Sequence, residues 1–260
     1  MHLVKKENYY LAFNKNTAIQ VINRLKPQRL CVIDFEAFQF TKWTREKFEK
    51  ITINDIPYTV CLNTLVFDEV CNKFVSSNEV VYQFKDDWST QSDLLAKLEE
   101  LAIFVANYVK ENNIEKFLYM AKFLEVAALE FFVSIFNDLP ILKEYLLIKG
   151  YDLYDFFFNQ NNFKIISYKY KTQHILKDYM INYGDEYENF EIGKDGMKHF
   201  EKIAKGRDAD DLDFDKVKEH SFNDLKKGVD LLNYINELAN FPDDQVINIK
   251  ELKDDEISEE

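Results

Sequence analysis

The sequence predicts an α/β protein with a mixed sheet, an antiparallel meander extended by parallel strands and flanked by helices, and three observations carry that expectation. Leu30-Cys31-Val32-Ile33 is an apolar, partly β-branched run of the kind that a strand buried on both faces requires. Two more strand-like runs, Pro57 to Phe67 and Glu79 to Phe84, follow at short intervals, as in a meander. Then the period changes. Leu94, Leu95, Leu98, Leu101, Ala102, Val105, Tyr108 and Val109 recur at threes and fours, a crossover helix from Ser89 to Lys110 ahead of a further strand, Ile114 to Tyr119.

The remaining elements read in order around that frame. Residues 1–28 are expected to be a lead-in holding a short amphipathic helix, Thr17 to Leu25, with Thr17 as its cap and Pro27 as its stop. Gln39 to Asn54 is polar and charged, a long loop expected to lie over the end of the first strand. A second strong helix runs from about Leu124 to Phe136 and stops before Pro140. The aromatic run Tyr151 to Phe158 fits strand or helix equally. Tyr170 to Tyr179 and Gly196 to Ala204 read as short helices. Asp213 to Leu238 reads as a longer one, with Leu225, Val229, Leu232, Ile235 and Leu238 along one side. With no internal repeat or low-complexity linker, residues 29–241 are expected to form one domain, followed by an acidic tail over 242–260.

A chain of 260 residues with 47% hydrophobic content, 23 Phe and 15 Tyr can build a substantial core. Its net charge of −13 argues against a protein that holds polyanions through a broad basic surface. It leaves room for a nucleic-acid enzyme, because metal ions in a carboxylate site supply local positive charge. Cys31, Cys61 and Cys71 have no paired spacing and read as buried free thiols of a reducing compartment. The N-terminus has no secretory apolar core, and no apolar run approaches the ~20 residues that span a bilayer. A cytoplasmic protein with no membrane partner is expected.

Alternation along a strand turns Asp34 and Glu36 to one face while Phe35 points back into the core. Two carboxylates so close repel each other, and a divalent cation relieves the repulsion; a strand that simply ends in polar residues explains the pair as well. If they hold metal, further acids must come from other segments. Glu125 sits where a strand passes into a helix, a place where an acid also serves the helix dipole. His220 and Asp224 are one turn apart on the last long helix, which puts both on one face, although such pairs are also common on surfaces; Asp230 is a nearby competitor. Phe35, Phe38 and Trp43 could stack on a base or pack as core and lid. Lys42, Arg45 and Lys47 are either a phosphate-contacting rim or ordinary loop charges.

The order Asp34-x-Glu36, Glu125, His220-x-x-x-Asp224 resembles the DEDD, or DnaQ-like, 3′-5′ exonuclease superfamily and, within it, a bacterial subgroup of predicted nucleases. The likeness rests on Ile33 to Phe38, Ile56-Pro57-Tyr58, Ala121 to Glu125, Tyr151-Asp152-Leu153, Asp195-Gly196-Met197 and His220 to Asp224, nearly the whole chain from Leu30 to Leu238. It implies a ribonuclease-H-like fold and metal-dependent hydrolysis of nucleic acid, DNA or RNA, from a single-stranded 3′ end. It also implies two Mg2+ or Mn2+ ions, about 4 Å apart in such sites, held by Asp34, Glu36, Glu125 and Asp224, with His220 accepting a proton from water. Three positions depart from the pattern. Ala121 stands where the family tends to have Asn, Leu124 where it tends to have Phe, and His220 carries the spacing of members that use Tyr. A catalytically silent binding module and a small-molecule phosphoesterase are therefore the rival expectations.

Overall fold

The computed structural model describes residues 1–5, 9–167 and 192–243. The chain opens with β1 (His2–Lys5), β2 (Tyr9–Phe13) and α1 (Lys15–Leu25), so the segment before the first long strand holds two short strands besides the expected helix. The cap of α1 is Asn14, whose side chain accepts from the Thr17 backbone N–H, and Thr17 lies inside the helix. Next come β3 (Leu30–Phe38), α2 (Lys42–Lys47), β4 (Ile56–Asp68), β5 (Lys73–Gln83) and α3 (Gln91–Glu111), the last started by a capping box of Thr90 and Asp93. β6 (Lys116–Tyr119), α4 (Phe123–Ile135) and α5 (Pro140–Tyr145) follow. The aromatic run is both strand and helix: β7 (Gly150–Asp152) turns directly into α6 (Tyr154–Phe157). The described residues close with β8 (Phe163–Ser167), α7 (Ile192–Ala204) and α8 (Phe214–Ala239). The helix expected over Tyr170 to Tyr179, and the tail from residue 244 on, lie outside the described residues.

The main sheet has the order β5-β4-β3-β6-β7. β3, β4 and β5 pair antiparallel, whereas β6 and β7 join through parallel pairings, so the sheet is mixed and its layout is consistent with a ribonuclease-H-like arrangement. A second sheet, β1-β2-β8, is antiparallel throughout. Side-chain alternation along β3 sets the layers. Cys31, Ile33 and Phe35 face a core shared with α3, α4 and α7, whereas Leu30 and Val32 face a core shared with α1, α8 and the small sheet. Asp34 and Glu36 continue the second row, the one that α8 covers.

Helix α8 can come close because Gly228 has no side chain. A Cβ there would stand 2.8 Å from Val32 Cγ1 on β3. Among the described residues, no helix is long and apolar enough to cross a membrane. Cys31 and Cys61 are buried free thiols as expected, but Cys71 is exposed, in the turn between β4 and β5.

Candidate functional site

Parallel pairing of β3 with β6 ends at Val32–Leu118, and β6 itself ends at Tyr119. Beyond that point β3 runs on without its parallel neighbour, and Asp34 and Glu36 lie on this continuation. A crevice at the carboxyl ends of parallel strands is where open α/β sheets place ligands. On the other side β4 stays paired, with Asp34 opposite Cys61 and Glu36 opposite Thr59, and a bulge follows between Glu36 and Ala37. Such a bulge re-aims the strand next to the carboxylates.

Helix α8 brings the partners. His220 Nε2 lies 3.3 Å from Asp224 Oδ2 and 3.9 Å from Glu36 Oε1. The Ser221 hydroxyl is 3.3 Å from that same Glu36 oxygen. Glu36, His220 and Asp224 each offer a ligand atom within 4.8 Å of the others. The helical spacing of His220 and Asp224 thus brings both to Glu36, whereas Asp230, the competitor, sits near Glu237 and Lys73.

Glu125 arrives in the first turn of α4, only 5% exposed. The entry to that helix is an unusual turn, since Ala121 has φ +67°, a conformation that costs an alanine roughly 1–2 kcal/mol. Asp152 holds it. Its Oδ1 accepts from Ala121 N at 3.2 Å and Tyr154 N at 2.9 Å, and its Oδ2 accepts from Lys122 N at 3.1 Å. The αL geometry at Ala121 is one that Asn tolerates better than most residues, a physical reason for Asn to be favoured at such a position.

The electrostatics are those of acids brought together without enough positive charge. Burial, then the charges of Glu36, Asp224 and Glu125, push the Asp34 carboxyl well above the usual range, with Lys227 opposing. Burial and the Asp224 and Glu125 charges raise Glu36 to about 8, against a hydrogen bond from Ser221. Burial likewise carries Glu125 up to about 7, with Asp152 adding to it. Asp34 Oδ2 and Glu125 Oε2 are buried and have no hydrogen-bond partner among the described residues. Buried acceptors of this kind are costly unless something else satisfies them. Oxygen-rich donors with unmet valence and one imidazole nitrogen fit a small divalent cation.

Some expectations change. Phe35 and Phe38 are buried in the core against Phe132 and Phe200, so neither is available to stack on a ligand, whereas Trp43 is 79% exposed on α2. The Arg45 guanidinium donates to the Ile53 and Asn54 carbonyls, and Lys47 Nζ lies 3.5 Å from the Ala204 carbonyl. These two cations brace α2 to its surroundings rather than forming an open phosphate rim. Sequence reasoning gave Asp152 no role and missed two further residues. Asp152 supports the turn before Glu125. Lys227 bonds Asp224 Oδ1 at 2.6 Å, and its signal was a third same-face position after His220 and Asp224. Tyr154 stands close enough for Asp224 and Asp34 to act on its phenol, whose pKa burial raises.

No protein-family model matches this chain, and a search of curated proteins finds no match.

Proposed function

We propose that the protein is a divalent-metal-dependent 3′-5′ exonuclease acting on nucleic acid, with Asp34, Glu36, Glu125 and Asp224 holding Mg2+ or Mn2+. One observation carries the reading: the meeting of Glu36, His220 and Asp224 from two distant segments, beside buried oxygens of Asp34 and Glu125 that have no hydrogen-bond partner among the described residues. Carboxylates that raise one another's pKa in a crevice at a sheet's carboxyl edge are poised for a cation. When bound, the ions would supply the charge that favours ionisation of water and stabilises the leaving oxygen.

The chain's own groups have separate tasks. Glu36 and Asp34 ride on a strand paired along β4, which fixes their separation. Asp152 and the turn at Ala121 set where Glu125 enters. His220 accepts the proton from the attacking water, its Nε2 facing the carboxylates while a quarter of its side chain is exposed. Of Phe35, Phe38 and Trp43, Trp43 is the one exposed enough to meet a base. The free thiols of Cys31 and Cys61 suit a reducing, cytoplasmic setting.

A second reading, a ribonuclease-H-like module that binds a partner without hydrolysis, is favoured by Ala121 in place of Asn and by the spacing of His220. A 5′-labelled single-stranded oligonucleotide, as DNA and as RNA, separates the two. The exonuclease shortens it stepwise from the 3′ end with Mn2+ or Mg2+, and Asp34→Asn is slower by at least about a hundredfold, the scale of losing one group that stabilises transition-state charge. Equal rates in both proteins, or intact oligonucleotide under every metal, overturn the proposal. Cleavage of a nucleotide ester with oligonucleotides untouched would mark a phosphoesterase instead.

A further inference from the structure

Asp224 is already occupied by side chains of its own helix. Lys227 Nζ lies 2.6 Å from Oδ1, and His220 Nε2 lies 3.3 Å from Oδ2. Residues 220, 224 and 227 fall on one face of α8 because positions four and seven residues apart nearly eclipse in a helix. The ammonium is partly sheltered, with 34% of its side chain exposed, and its charge also acts on Asp34 across the crevice. An ammonium at 2.6 Å already neutralises much of this carboxylate's charge and takes up one side of Oδ1, so a divalent ion arriving at Asp224 meets both a competitor and a like charge. Among the described residues, Glu125 has no such occupant. It is 5% exposed, its Oε2 has no partner among the described residues, and its charge acts on both Asp34 and Glu36.

We propose that Lys227 is a built-in counter-cation holding one of the two cation positions, so that the resting site binds a single divalent ion through Asp34, Glu36 and Glu125. A second ion enters only by displacing Lys227 from Asp224. Lys227 is then a positioning residue, acting through Asp224 rather than on the substrate. This rests on the metal-site reading above and adds to it a rule for loading, namely that the two ions are not equivalent. Removing the ammonium leaves the carboxylate charge and takes away a positive neighbour that repels the incoming ion, so the second affinity must rise.

Calorimetric titration with Mn2+ in the absence of nucleic acid tests this, together with the electron paramagnetic resonance signal that coupled manganese pairs give. The wild type and Lys227→Arg should bind one ion, with a second at least about tenfold weaker than in Lys227→Gln, where two bind and the coupled signal appears. Circular dichroism confirms that each variant is folded. Two ions bound alike by the wild type and Lys227→Gln would overturn the role of Lys227 and leave the metal site standing. Weaker binding in Lys227→Gln would also overturn it, because Lys227 would then be building the site rather than competing for it. No ion bound by any of the three would overturn both readings together.

Discussion

Glu201 and Glu36 are glutamates of one protein, both largely withdrawn from solvent, and their neighbours treat them in opposite ways. Glu201, on α7, lies among donors. The Thr41 hydroxyl reaches its Oε1 at 2.6 Å, Lys205 Nζ reaches the same oxygen at 2.9 Å, Thr44 Oγ1 bonds it as well, and the Thr41 backbone N–H bonds its Oε2 at 3.2 Å. Burial alone would raise that carboxyl, but these hydrogen bonds prevail and carry it down to about 2. Among the described residues, Glu36 has one hydrogen bond, from the Ser221 hydroxyl, with His220 Nε2 farther off at 3.9 Å, and burial with the charges of Asp224 and Glu125 carries it up to about 8. A carboxylate completed by donors is a clip, and here it pins α2 to α7. Carboxylates gathered without donors are a demand for positive charge. The contrast separates an acid that the fold has supplied with partners from one that it has left short of them.

The sharpest way to break the comparison is to remove the clip. Glu201→Ala leaves two threonine hydroxyls and an ammonium without their acceptor and should cost about 3 kcal/mol of stability, the scale of lost hydrogen bonds to a buried charge. Urea unfolding measures it, and the rise in melting temperature on adding Mn2+ should survive in the variant. If that rise disappears, the clip is part of the site and the two regions are not separate.

Titration should separate them by sign. Between the ordinary carboxyl value of 4.5 and about 8, the folded protein keeps a proton on Glu36 that the unfolded chain has released, so its contribution to stability declines as pH rises through that window. Glu201 behaves conversely. Its contribution is complete above 4.5 and is lost as pH falls towards about 2. In metal-free melts across pH, Glu36→Gln should flatten the decline on the alkaline side, and Glu201→Gln should flatten the loss on the acid side. Mn2+ should reduce only the first. An unchanged alkaline profile in Glu36→Gln would show that the acids of the crevice do not burden one another.

The smallest effect concerns backbone rather than charge. Ala121→Gly relieves the left-handed conformation that Asp152 enforces and should stabilise the protein by about 0.5–1 kcal/mol, read from the same urea transitions. A loss of stability would mean that this turn carries no strain.

Much of this was legible beforehand, and the reasons are local. The long helices α3, α4 and α8 were readable from apolar spacing, and their ends fell within a few residues of the expected bounds. Asp34 and Glu36 had to share a face because strand alternation allows nothing else. The hairpin β1-β2 was not legible, because its short strands become a sheet only on pairing with β8, far along the chain. Arg45 and Lys47 looked like free cations because nothing nearby in sequence says which carbonyls they will meet. Nothing in the helical pattern marks Gly228, because the Val32 side chain that needs the space comes from a distant strand.

What the amino-acid order determined by itself is whatever the backbone period dictates: the strand that carries two acids on one face, the helix that carries His220 and Asp224 one turn apart, and the sequence of elements in a mixed sheet. Only the tertiary structure decided that these meet, since Ser221 and Glu36 are 185 residues apart and no local rule spans that interval. It alone decided which acids were completed by donors and which were left facing one another. The charge state of a buried group is set by its whole surroundings, and those surroundings exist only once the chain has folded.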